Sequence, residues 1–270
     1  MSKKEVKLVK KLNGYLKQLN CRSYLHHFGP KKFKFVFHAL ALLLKESLKC
    51  SFRRVENLLD LLGIKVPTYS ALCKSRKRIP TTLWNSLLKL TAGKTSGVTA
   101  IDGTGFSRTN PSFHYVKRID AKKPVKRYAK LSALFDIVKR KFLALRIRAK
   151  PRHDIKDVKP LLREITEVNS TSMDSAYDAE SVFEYCWNRN IRAIVKPKKN
   201  ARKGFYRRKQ RRNYSDEEYH QRSLIEAGQG AVKRKYGGHT LAKSIESIEA
   251  EVYCKAICYN IRLRMLEIFN

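Results

Sequence analysis

The sequence lacks three features that would place it in common protein classes: paired cysteines, a long apolar run and a balance of charge. Its six cysteines are scattered and never form CxxC, so we expect free, buried thiols and no cysteine-based metal site. The longest apolar run, FVFHALALLL at 35–44, is about half a membrane span. No apolar stretch follows the N-terminal lysines, so no secretory signal peptide is expected. We therefore expect a soluble protein of the cell interior that does not contact membranes.

Acidic residues are scarce, since 59 Lys and Arg are set against 23 Asp and Glu and the formal net charge is +36. The hydrophobic fraction of 43% is ample for a folded core, so this charge does not indicate disorder. A surplus of this size is typical of a protein that binds a polyanion, and nucleic acid is the commonest one. On charge alone, a ribosomal or membrane-surface protein is the alternative.

The first part of the chain, residues 1–92, is predicted to be a helical domain. The stretch SFRRVENLLDLLG at 51–63 has Ser51 as its N-cap and Gly63 as its C-terminal stop. A second short helix, TYSALCKSRKRI at 68–79, follows the turn IKVP and ends before a proline. Two short helices joined by a tight turn indicate a helix-turn-helix.

The second helix of this pair is the candidate DNA-reading helix. Tyr69, Ser70, Lys74 and Arg76 are predicted to point outward, where a major groove would receive them. Lys74 and Arg76 are the candidate DNA contacts. The motif has no diagnostic residue, so an ordinary helical bundle with a basic surface is the alternative.

After a small, polar linker, TAGKTSGV at 91–98, the pattern becomes that of an α/β domain, which we place at 98–270. GVTAIDGTGF is typical of a strand that runs into a loop, and AKLSALFDIVKRKFLALRIRAKP of two strands around a KRK turn. Shorter strands then alternate with helices, and SIEAEVYCKAICYNIRLRMLEIF closes the chain as a long helix. This order predicts a mixed α/β sheet with helices packed on it.

Three of the scarce acids are placed where they can meet. Asp102 is predicted at the carboxyl end of the first strand, Asp174 at the end of a later strand, and Glu226 on a helix. Carboxylates at adjacent strand ends, completed by one from a helix, can hold two divalent cations that assist phosphodiester chemistry. Taken singly, each acid has a plainer explanation as a turn former or an ion-pair partner. In DSAYD, Asp178 competes with Asp174 as the ligand, unless it caps the following helix.

The segment YHQRSLIEAGQGAVKRKYG is predicted to be a helix with a narrow polar stripe. At about 100° per residue, Tyr219, Arg222, Glu226 and Lys233 fall within an arc of about 60°. The apolar residues face the other way: Leu224, Ile225, Ala227, Ala231 and Val232. Gly230 falls beside the stripe, and we expect it to leave room for a DNA backbone.

Tyr219, Arg222, Glu226 and Lys233 match the Y-(2)-R-(3)-E-(6)-K signature of DDE insertion-sequence transposases without a gap. The chain resembles that family over residues 98–260. IDGTGF resembles the segment that holds the first catalytic Asp of the family, and MDSAYDAE resembles the second segment, in which the earlier Asp is the ligand. RHDIK resembles a His-Asp pair that is common in the superfamily between those segments.

The resemblance implies an RNase H-like catalytic domain preceded by a small all-α domain that contains the helix-turn-helix. It further implies that Asp102, Asp174 and Glu226 form the catalytic, metal-binding triad. The cofactor implied is a pair of Mg²⁺ ions, with Mn²⁺ as the alternative metal.

The resemblance also implies that Tyr219, Arg222 and Lys233 position DNA near the cleaved phosphodiester. The chain departs from the family pattern at Ala176, where the second segment usually has glycine before its tyrosine. The 51 residues between the second and third triad positions leave no space for the β-rich insertion that some relatives carry. For His153, in RHDIK, a structural role is expected rather than an approach to the metals.

A strongly basic stretch, KPKKNARKGFYRRKQRR at 196–212, has ten Lys and Arg in seventeen residues and no acid. Arg207 and Arg208 are its candidate contacts to DNA phosphates, and Phe205 and Tyr206 would stack on an unpaired end base. A disordered basic loop is the alternative. The two are compatible, because such a segment can become ordered on DNA.

These features together predict a DNA transposase that works by two-metal phosphoryl transfer. The helical domain would help recognise the terminal inverted repeats of the element. The α/β domain would cut a strand at each end and then direct the liberated 3′-OH at target DNA. Because two ends must be joined, a homodimer or larger assembly on DNA is expected. The resemblance implies a cytoplasmic, nucleoid-associated protein of a prokaryote.

Two other functions stay open on the sequence alone. The first is a non-catalytic, sequence-specific DNA-binding protein derived from a transposase. The second is a metal-dependent nuclease of the same fold that hydrolyses DNA without strand transfer. A divalent-metal-dependent product would separate these functions, whereas DNA binding would not.

Overall fold

The computed structural model describes residues 3–25, 31–108, 128–150, 152–198 and 203–266. The chain divides into two units. The helical unit comprises Met1–Thr91, Lys235–Gly237 and Ala242–Asn270, and the sheet unit comprises Ala92–Arg234 and Gly238–Leu241. Part of the predicted basic stretch, at 199–202, lies outside the described residues.

The secondary structure consists of the following elements. The helices are α1 (Lys3–Gln18), α2 (Phe35–Ser47), α3 (Phe52–Leu61), α4 (Tyr69–Arg78), α5 (Thr81–Ala92), α6 (Ile155–Arg163), α7 (Glu180–Asn188), α8 (Phe205–Arg212), α9 (Asp216–His220), α10 (Ser223–Tyr236) and α11 (Ile245–Leu266). The strands are β1 (Val98–Arg108), β2 (Tyr128–Asp136), β3 (Lys141–Arg148), β4 (Ser170–Met173), β5 (Arg192–Val195) and β6 (His239–Thr240).

The two short helices predicted on either side of the IKVP turn are α3 and α4, and side chains fix where they begin. Ser51 caps α3 by accepting a hydrogen bond from the Arg54 amide at 3.3 Å. The Glu56 carboxylate accepts a hydrogen bond from the Tyr69 amide at 2.7 Å and so caps the N-terminus of α4. Gly63, with φ of +69°, follows the end of α3 as predicted.

A cluster of buried charges lies inside the helical unit and is contributed by α2, α4 and α11. Lys45 lies 2.6 Å from Glu46 and 3.7 Å from Glu251. Lys255 lies 3.9 Å from Glu46 and 3.8 Å from Glu251, and Arg76 lies 3.9 Å from Glu251. Burial raises the pKa of Glu46 and lowers that of Lys255, with neighbouring charges as the next causes. Because an unpaired buried charge is costly, each member of this cluster depends on the others.

The predicted DNA-reading helix α4 presents only part of its expected surface. Lys74 and Tyr69 are exposed, as predicted. The prediction that Arg76 points outward is wrong, because its guanidinium lies against Glu251 and 5.4 Å from the ring centroid of Phe52. The side chain of Arg76 therefore belongs to the charge cluster and not to the surface that would meet DNA.

The C-terminal helix α11 belongs to the helical unit, whereas the predicted α/β domain at 98–270 includes it. Its apolar residues Ile248, Val252 and Ile257 are buried. The helix packs against α2 and α4 within that unit. From its position in the sequence, α11 was expected to pack on the sheet. Its buried residues, including the charged ones, instead contact helices from the N-terminal part of the chain.

The sheet of the second unit is mixed, as predicted. In the described part of the chain the strand order is β3-β2-β1-β4-β5, and β6 pairs with the end of β1. The pairs β1–β2 and β2–β3 are antiparallel, whereas β1–β4 and β4–β5 are parallel. Three consecutive strands therefore form a meander, and helical crossovers add the parallel strands at one side.

Helices α6 and α7 cover the sheet with apolar residues at helical spacing. Val158 and Leu161 of α6 and Val182 and Phe183 of α7 are buried in one core with Ile101 of β1. Their spacing of three or one positions forms the apolar stripe expected of a helix that packs on a sheet. This core holds β1 and β4 in place beneath the residues that follow them.

Strand β1 is longer than predicted, because it does not end in a loop at Asp102. It pairs with β2 as far as Ser107, which lies opposite Tyr128. Asp102 is therefore in the middle of a strand, opposite Ala133, and the GTG that follows it is strand rather than loop. The partner β4 is short, since it ends at Met173.

All six cysteines are free, as predicted. Cys186 and Cys254 are buried, and the other four are partly exposed. Among the described residues, no helix combines the length and the apolar character that a membrane span needs.

Replacing Glu251 with Gln tests the buried charge cluster. The change should lower the free energy of unfolding by about 3–5 kcal/mol, because it leaves Glu46 as the carboxylate that must balance both buried lysines, Lys45 and Lys255. Urea denaturation at neutral pH measures this value. Glu167, which is exposed, provides a matched control, and Glu167→Gln should stay within about 0.5 kcal/mol of wild type. A loss below about 1 kcal/mol in Glu251→Gln would contradict the role of the cluster.

Candidate active site

Two carboxylates come together where β4 ends beside β1. These strands run parallel with Ile101 opposite Met173, so the next residues, Asp102 and Asp174, lie side by side. Both line a cavity of about 340 Å³ in the sheet unit. The structure thus brings two of the three predicted ligands to one site.

The rest of the cavity wall includes a cation, an acid and a phenol that were not selected from the sequence. Lys130 of β2 pairs with the carboxylate of Asp154 and donates a hydrogen bond to the Arg152 carbonyl at 2.7 Å. The Tyr177 hydroxyl is buried and has no hydrogen-bond partner among the described residues. A side chain at Gly103 would begin 3.2 Å from the Asp154 carboxylate, so the glycine keeps this wall open.

The motif RHDIK contained a signal for Asp154, although the sequence drew attention to His153. His153 is exposed, whereas Asp154 lies just before α6 and lines the cavity. Lys130 had no comparable signal. It is one of 59 basic residues, and β2 is recognised by its apolar residues rather than by its single inward-facing cation.

The second acid of DSAYD, Asp178, is committed to a different set of contacts. Its buried carboxylate lies 2.7 Å from Arg207 Nε and 3.0 Å from Arg211 Nη2, and it accepts a hydrogen bond from the Lys198 amide at 2.9 Å. Burial favours a raised pKa for Asp178, but the bonds from Lys198 and Arg207 outweigh it and lower the pKa. Asp178 neither lines the cavity nor caps α7 with its side chain, so Asp174 is the candidate ligand.

The two basic candidates on α8 face different surroundings. Arg207 turns inward to Asp178, and its side chain is only 13% exposed, which contradicts its expected role in contacting DNA phosphates. Arg208 is exposed, and its Nε donates a hydrogen bond to the Gly204 carbonyl at 3.2 Å. The described part of the basic stretch therefore contains an ordered helix, held by a buried ion pair, with Arg208 on its surface.

The residues of the polar stripe, which were predicted to lie on one helix, are divided between two helices and the residues that join them. Helices α9 and α10 are separated at Gln221 and Arg222, so the prediction of one continuous helix is wrong. A new helix begins before this point because Ser215 accepts a hydrogen bond from the Glu218 amide at 3.4 Å. Tyr219 consequently lies on α9, with its ring centroid 5.7 Å from the guanidinium carbon of Arg222.

Arg222 links the first and third predicted ligands. Its guanidinium lies 2.7 Å from Glu226 Oε1 and 3.4 Å from Asp102 Oδ1. Burial on its own lowers the pKa of Arg222, but the charges of Asp102 and Glu226 outweigh it and raise the pKa. Glu226 thus meets Asp102 through a shared cation and does not line the cavity with Asp174.

Helix α10 lies along β1 through three side chains. Lys233 Nζ donates a hydrogen bond to Thr104 Oγ1 at 2.5 Å, and Gln229 Nε2 donates one to the Asp102 carbonyl at 3.4 Å. Gln229 is buried, whereas Ala227, predicted for the apolar face, is exposed. The buried face of α10 is therefore rotated toward β1 relative to the expected stripe, because it includes polar contacts to the strand.

The donor chemistry of the site suits a hard divalent cation. Asp102 and Asp174 offer carboxylate oxygens to one cavity, which are the ligands that Mg²⁺ and Mn²⁺ prefer. Among the described residues, however, no three acids, histidines or cysteines are gathered closely enough to hold a metal ion together. The expected triad is arranged as a pair, with Glu226 held nearby through Arg222.

Similarity to known proteins is found in sequence family and in fold. Residues 93–261 match the family described as Transposase DDE domain. No curated protein matches the chain. Among solved structures, the chain is similar to piggyBac transposase in a synaptic complex with hairpin DNA, with a TM-score of 0.47 and 11% identity over 95% of this chain and 72% of that chain. It is also similar to a pre-cleavage Mos1 transpososome, with a TM-score of 0.27 and 12% identity over 94% and 76% of the two chains.

Two glycines of α10 have different predicted roles, one in packing against the sheet and one in contact with DNA. A Cβ at Gly228 would lie 2.9 Å from the fully buried ring of Phe135, so Gly228→Ala should lower the free energy of unfolding by about 1–3 kcal/mol. A Cβ at Gly230 would meet only the Arg234 side chain, at 3.4 Å, so Gly230→Ala should raise it by up to about 1 kcal/mol. Urea denaturation measures both. If Gly230 leaves room for a DNA backbone, the stabilised Gly230→Ala variant should bind DNA more weakly, and unchanged affinity would count against that role.

The carboxyl of Asp102 should oppose folding at neutral pH when no metal is bound. Burial raises its pKa to about 6, although Arg222 opposes the rise. The folded protein therefore favours the protonated carboxyl, and the stability this gives is lost as the pH rises through about 6. In chelator at neutral pH, Asp102→Asn should raise the free energy of unfolding by about 1–3 kcal/mol. The gain should vanish near pH 4. If Asp102→Asn were less stable than wild type at both pH values, this prediction would be contradicted.

Proposed function

The chain belongs to the family of transposases that share the DDE domain, and from this premise we propose that it is a DNA transposase that cuts and joins the ends of an insertion element. The observation that carries the proposal is the cavity that unites Asp102 and Asp174 beside the guanidinium of Arg222. Two carboxylates that line one cavity offer the oxygen ligands that a divalent metal cation prefers. The reaction is phosphoryl transfer, first to water and then to a 3′-OH.

Asp102, Asp174 and Glu226 are the residues that would hold the metal ions, with Mg²⁺ as the cofactor and Mn²⁺ as its alternative. When bound, such a pair of ions activates the attacking oxygen and stabilises the leaving oxygen of a phosphodiester. The chain supplies the placement of these ligands. The β1–β4 register sets Asp102 beside Asp174, and Arg222 pairs with both Asp102 and Glu226.

The cations around the site are placed to neutralise and orient a DNA backbone. Arg222, just before α10, and Lys233 of α10 contact residues of β1, and Lys130 projects into the cavity from β2. Tyr219 packs beside Arg222 and limits where its guanidinium lies. Phosphoryl transfer depends mainly on positioning and charge neutralisation, which are the tasks that this arrangement performs.

The helical unit would recognise the terminal inverted repeats of the element through α4. Lys74 and Tyr69 are exposed on this helix, and Arg208 of α8 adds an exposed cation in the sheet unit. Contacts of this type to phosphates explain the large positive charge and predict binding that weakens steeply with salt. Because two element ends must meet, we propose a homodimer or larger assembly on DNA, with target DNA as the second nucleic-acid partner.

A non-catalytic DNA-binding protein is the second candidate function, and one observation favours it. Arg222 occupies the position between Asp102 and Glu226, and no three potential ligands are gathered in the described part of the chain. A protein that had kept the fold and lost the chemistry would have this arrangement and would still bind DNA.

Strand cleavage of DNA that carries the element ends tests the proposal. With Mg²⁺ or Mn²⁺ the wild-type protein should cut at the ends, and a longer product should show transfer of the 3′-OH to target DNA. Glu226→Gln should reduce cutting by more than about 100-fold, since even residues that only hydrogen-bond to metal ligands contribute about 10–100-fold. DNA affinity should stay unchanged in this variant.

Glu217, an exposed acid on α9, provides the matched control, and Glu217→Gln should cut like wild type. Metal-dependent hydrolysis without a transfer product would identify a nuclease. Tight DNA binding by both proteins with no cutting in either metal would establish the non-catalytic function instead.

A further inference from the structure

An exposed aromatic cluster lies on the sheet unit where α7 and α8 meet, outside the cavity that holds Asp102 and Asp174. Trp187, in the last turn of α7, is 41% exposed, and Phe205, the first residue of α8, is 55% exposed. Tyr206 joins them, with its ring centroid 6.5 Å from that of Trp187 and 5.2 Å from that of Phe205. Large aromatic side chains are rarely left exposed together without a binding role.

A single lysine lies against both exposed rings. Lys209 Nζ is 4.6 Å from the ring centroid of Trp187 and 4.8 Å from that of Phe205. These are cation–π distances, so the ammonium group is held at the aromatic surface. Trp187, Phe205, Tyr206 and Lys209 are called the aromatic platform here.

The N-terminus of α8 is fixed to α7, so the platform has a defined shape. The Glu180 carboxylate accepts hydrogen bonds from the Tyr206 amide at 2.8 Å and the Arg207 amide at 3.2 Å. The negative charge at this helix N-terminus adds to the hydrogen bonds. Gly204 permits the approach, because its φ is +120° and a Cβ there would lie 2.0 Å from Glu180 Oε2.

The rest of α8 is fixed from within the sheet unit. Gln210, which is buried, accepts a hydrogen bond from the Ala193 amide at 3.2 Å and donates one to the Ile191 carbonyl at 3.3 Å. The buried carboxylate of Asp178 pairs with Arg207 and Arg211. Since one face of α8 is committed to these contacts, its other face is presented to solvent in a fixed position.

The exposed face of α8 is cationic. Arg208, Lys209 and Arg212 are exposed, and the helix contains no acid. An aromatic surface beside the exposed cations of α8 suits a partner that is both planar and anionic. Protein interfaces are poor in lysine at their centres, whereas single-stranded nucleic-acid sites combine stacked bases with cations along the backbone.

We propose that the aromatic platform binds unpaired bases of a DNA strand. Bases would stack on Trp187 and Phe205, while Arg208, Lys209 and Arg212 would contact the phosphates beside them. The proposal rests on the proposed function in one respect, that the polyanion is DNA whose strands are opened by cutting. It assigns to α7 and α8 a single-strand site that is separate from the catalytic cavity.

Tryptophan fluorescence of the full-length, metal-free protein gives a direct readout. The chain has two tryptophans, and Trp84 is 2% exposed, so quenching by a nucleic acid reports on Trp187. The probe is an oligothymidylate of about 15 nucleotides, which spans the site sizes of single-strand binding folds. We expect the probe to quench wild-type fluorescence, and the quenched component to be absent in Trp187→Phe, because this variant lacks the exposed tryptophan.

Affinity for the same probe, labelled and followed by anisotropy, tests the stacking. Trp187→Ala and Phe205→Ala should each weaken binding of the oligothymidylate by at least about 5-fold, whereas binding of a duplex of equal length should change by less than about 2-fold. Lys209→Ala should weaken binding and reduce the salt dependence by about one phosphate contact. Arg140→Ala, which removes an exposed cation of the β2–β3 turn, is the charge-matched control and should affect both probes equally.

Several outcomes would overturn the proposal. The first is unchanged single-strand affinity in Trp187→Ala and Phe205→Ala, and the second is an equal loss of affinity for single strand and duplex. The third is a change of oligomeric state in these variants, measured by light scattering, which would assign the platform to a protein interface. Thermal unfolding identifies an alanine variant that has not folded. In that case the fluorescence comparison of wild type with Trp187→Phe tests the proposal. Glu226→Gln should bind the oligothymidylate like wild type, so a protein that fails to cut DNA but shows these platform effects refutes only the proposed function.

Discussion

The parallel pairing of β1 with β4 is the constraint on which the candidate active site depends. It sets Asp102 beside Asp174, because Ile101 and Met173 are register partners and β4 ends at the next residue. The core beneath these strands keeps both carboxylates at the surface of the sheet, where each lines the same cavity. A shift of register by one residue would turn one of the two side chains to the other face and divide the site.

Several of the scarce acids hold specific cations. Arg222 is shared by Asp102 and Glu226, and two arginines of α8 hold Asp178. Buried glutamates of α2 and α11 pair with lysines in the helical unit. These buried or partly buried cations are therefore paired with carboxylates, while other cations of the described residues, such as Lys74 and Arg208, are exposed. That separation explains how a chain with a net charge of +36 folds and still presents cations to a polyanion.

Much of the site was predictable, and the rest depended on contacts between distant segments. Asp102 and Asp174 were selected because acids that follow apolar runs stand out in a basic chain, and the four-residue signature pointed to Glu226. Arg76 and Arg207 were misassigned, because an inward-facing arginine and an outward-facing one have the same letter and similar neighbours. Asp154 and Lys130 were missed, since their partners lie on different elements.

Local chemistry was enough to give the helix pair before residue 80, the mixed sheet, the free thiols and the basic character of α8, because caps, periodicity and composition act within a few residues. Long-range packing settled three other matters: the extent of β1, which pairs with β2 beyond Asp102; the place of α11, which joins the helical unit; and the break before α10. It also divided the cations between buried partners and solvent. Such outcomes depend on which buried groups meet across the fold, and no periodicity within one segment encodes them.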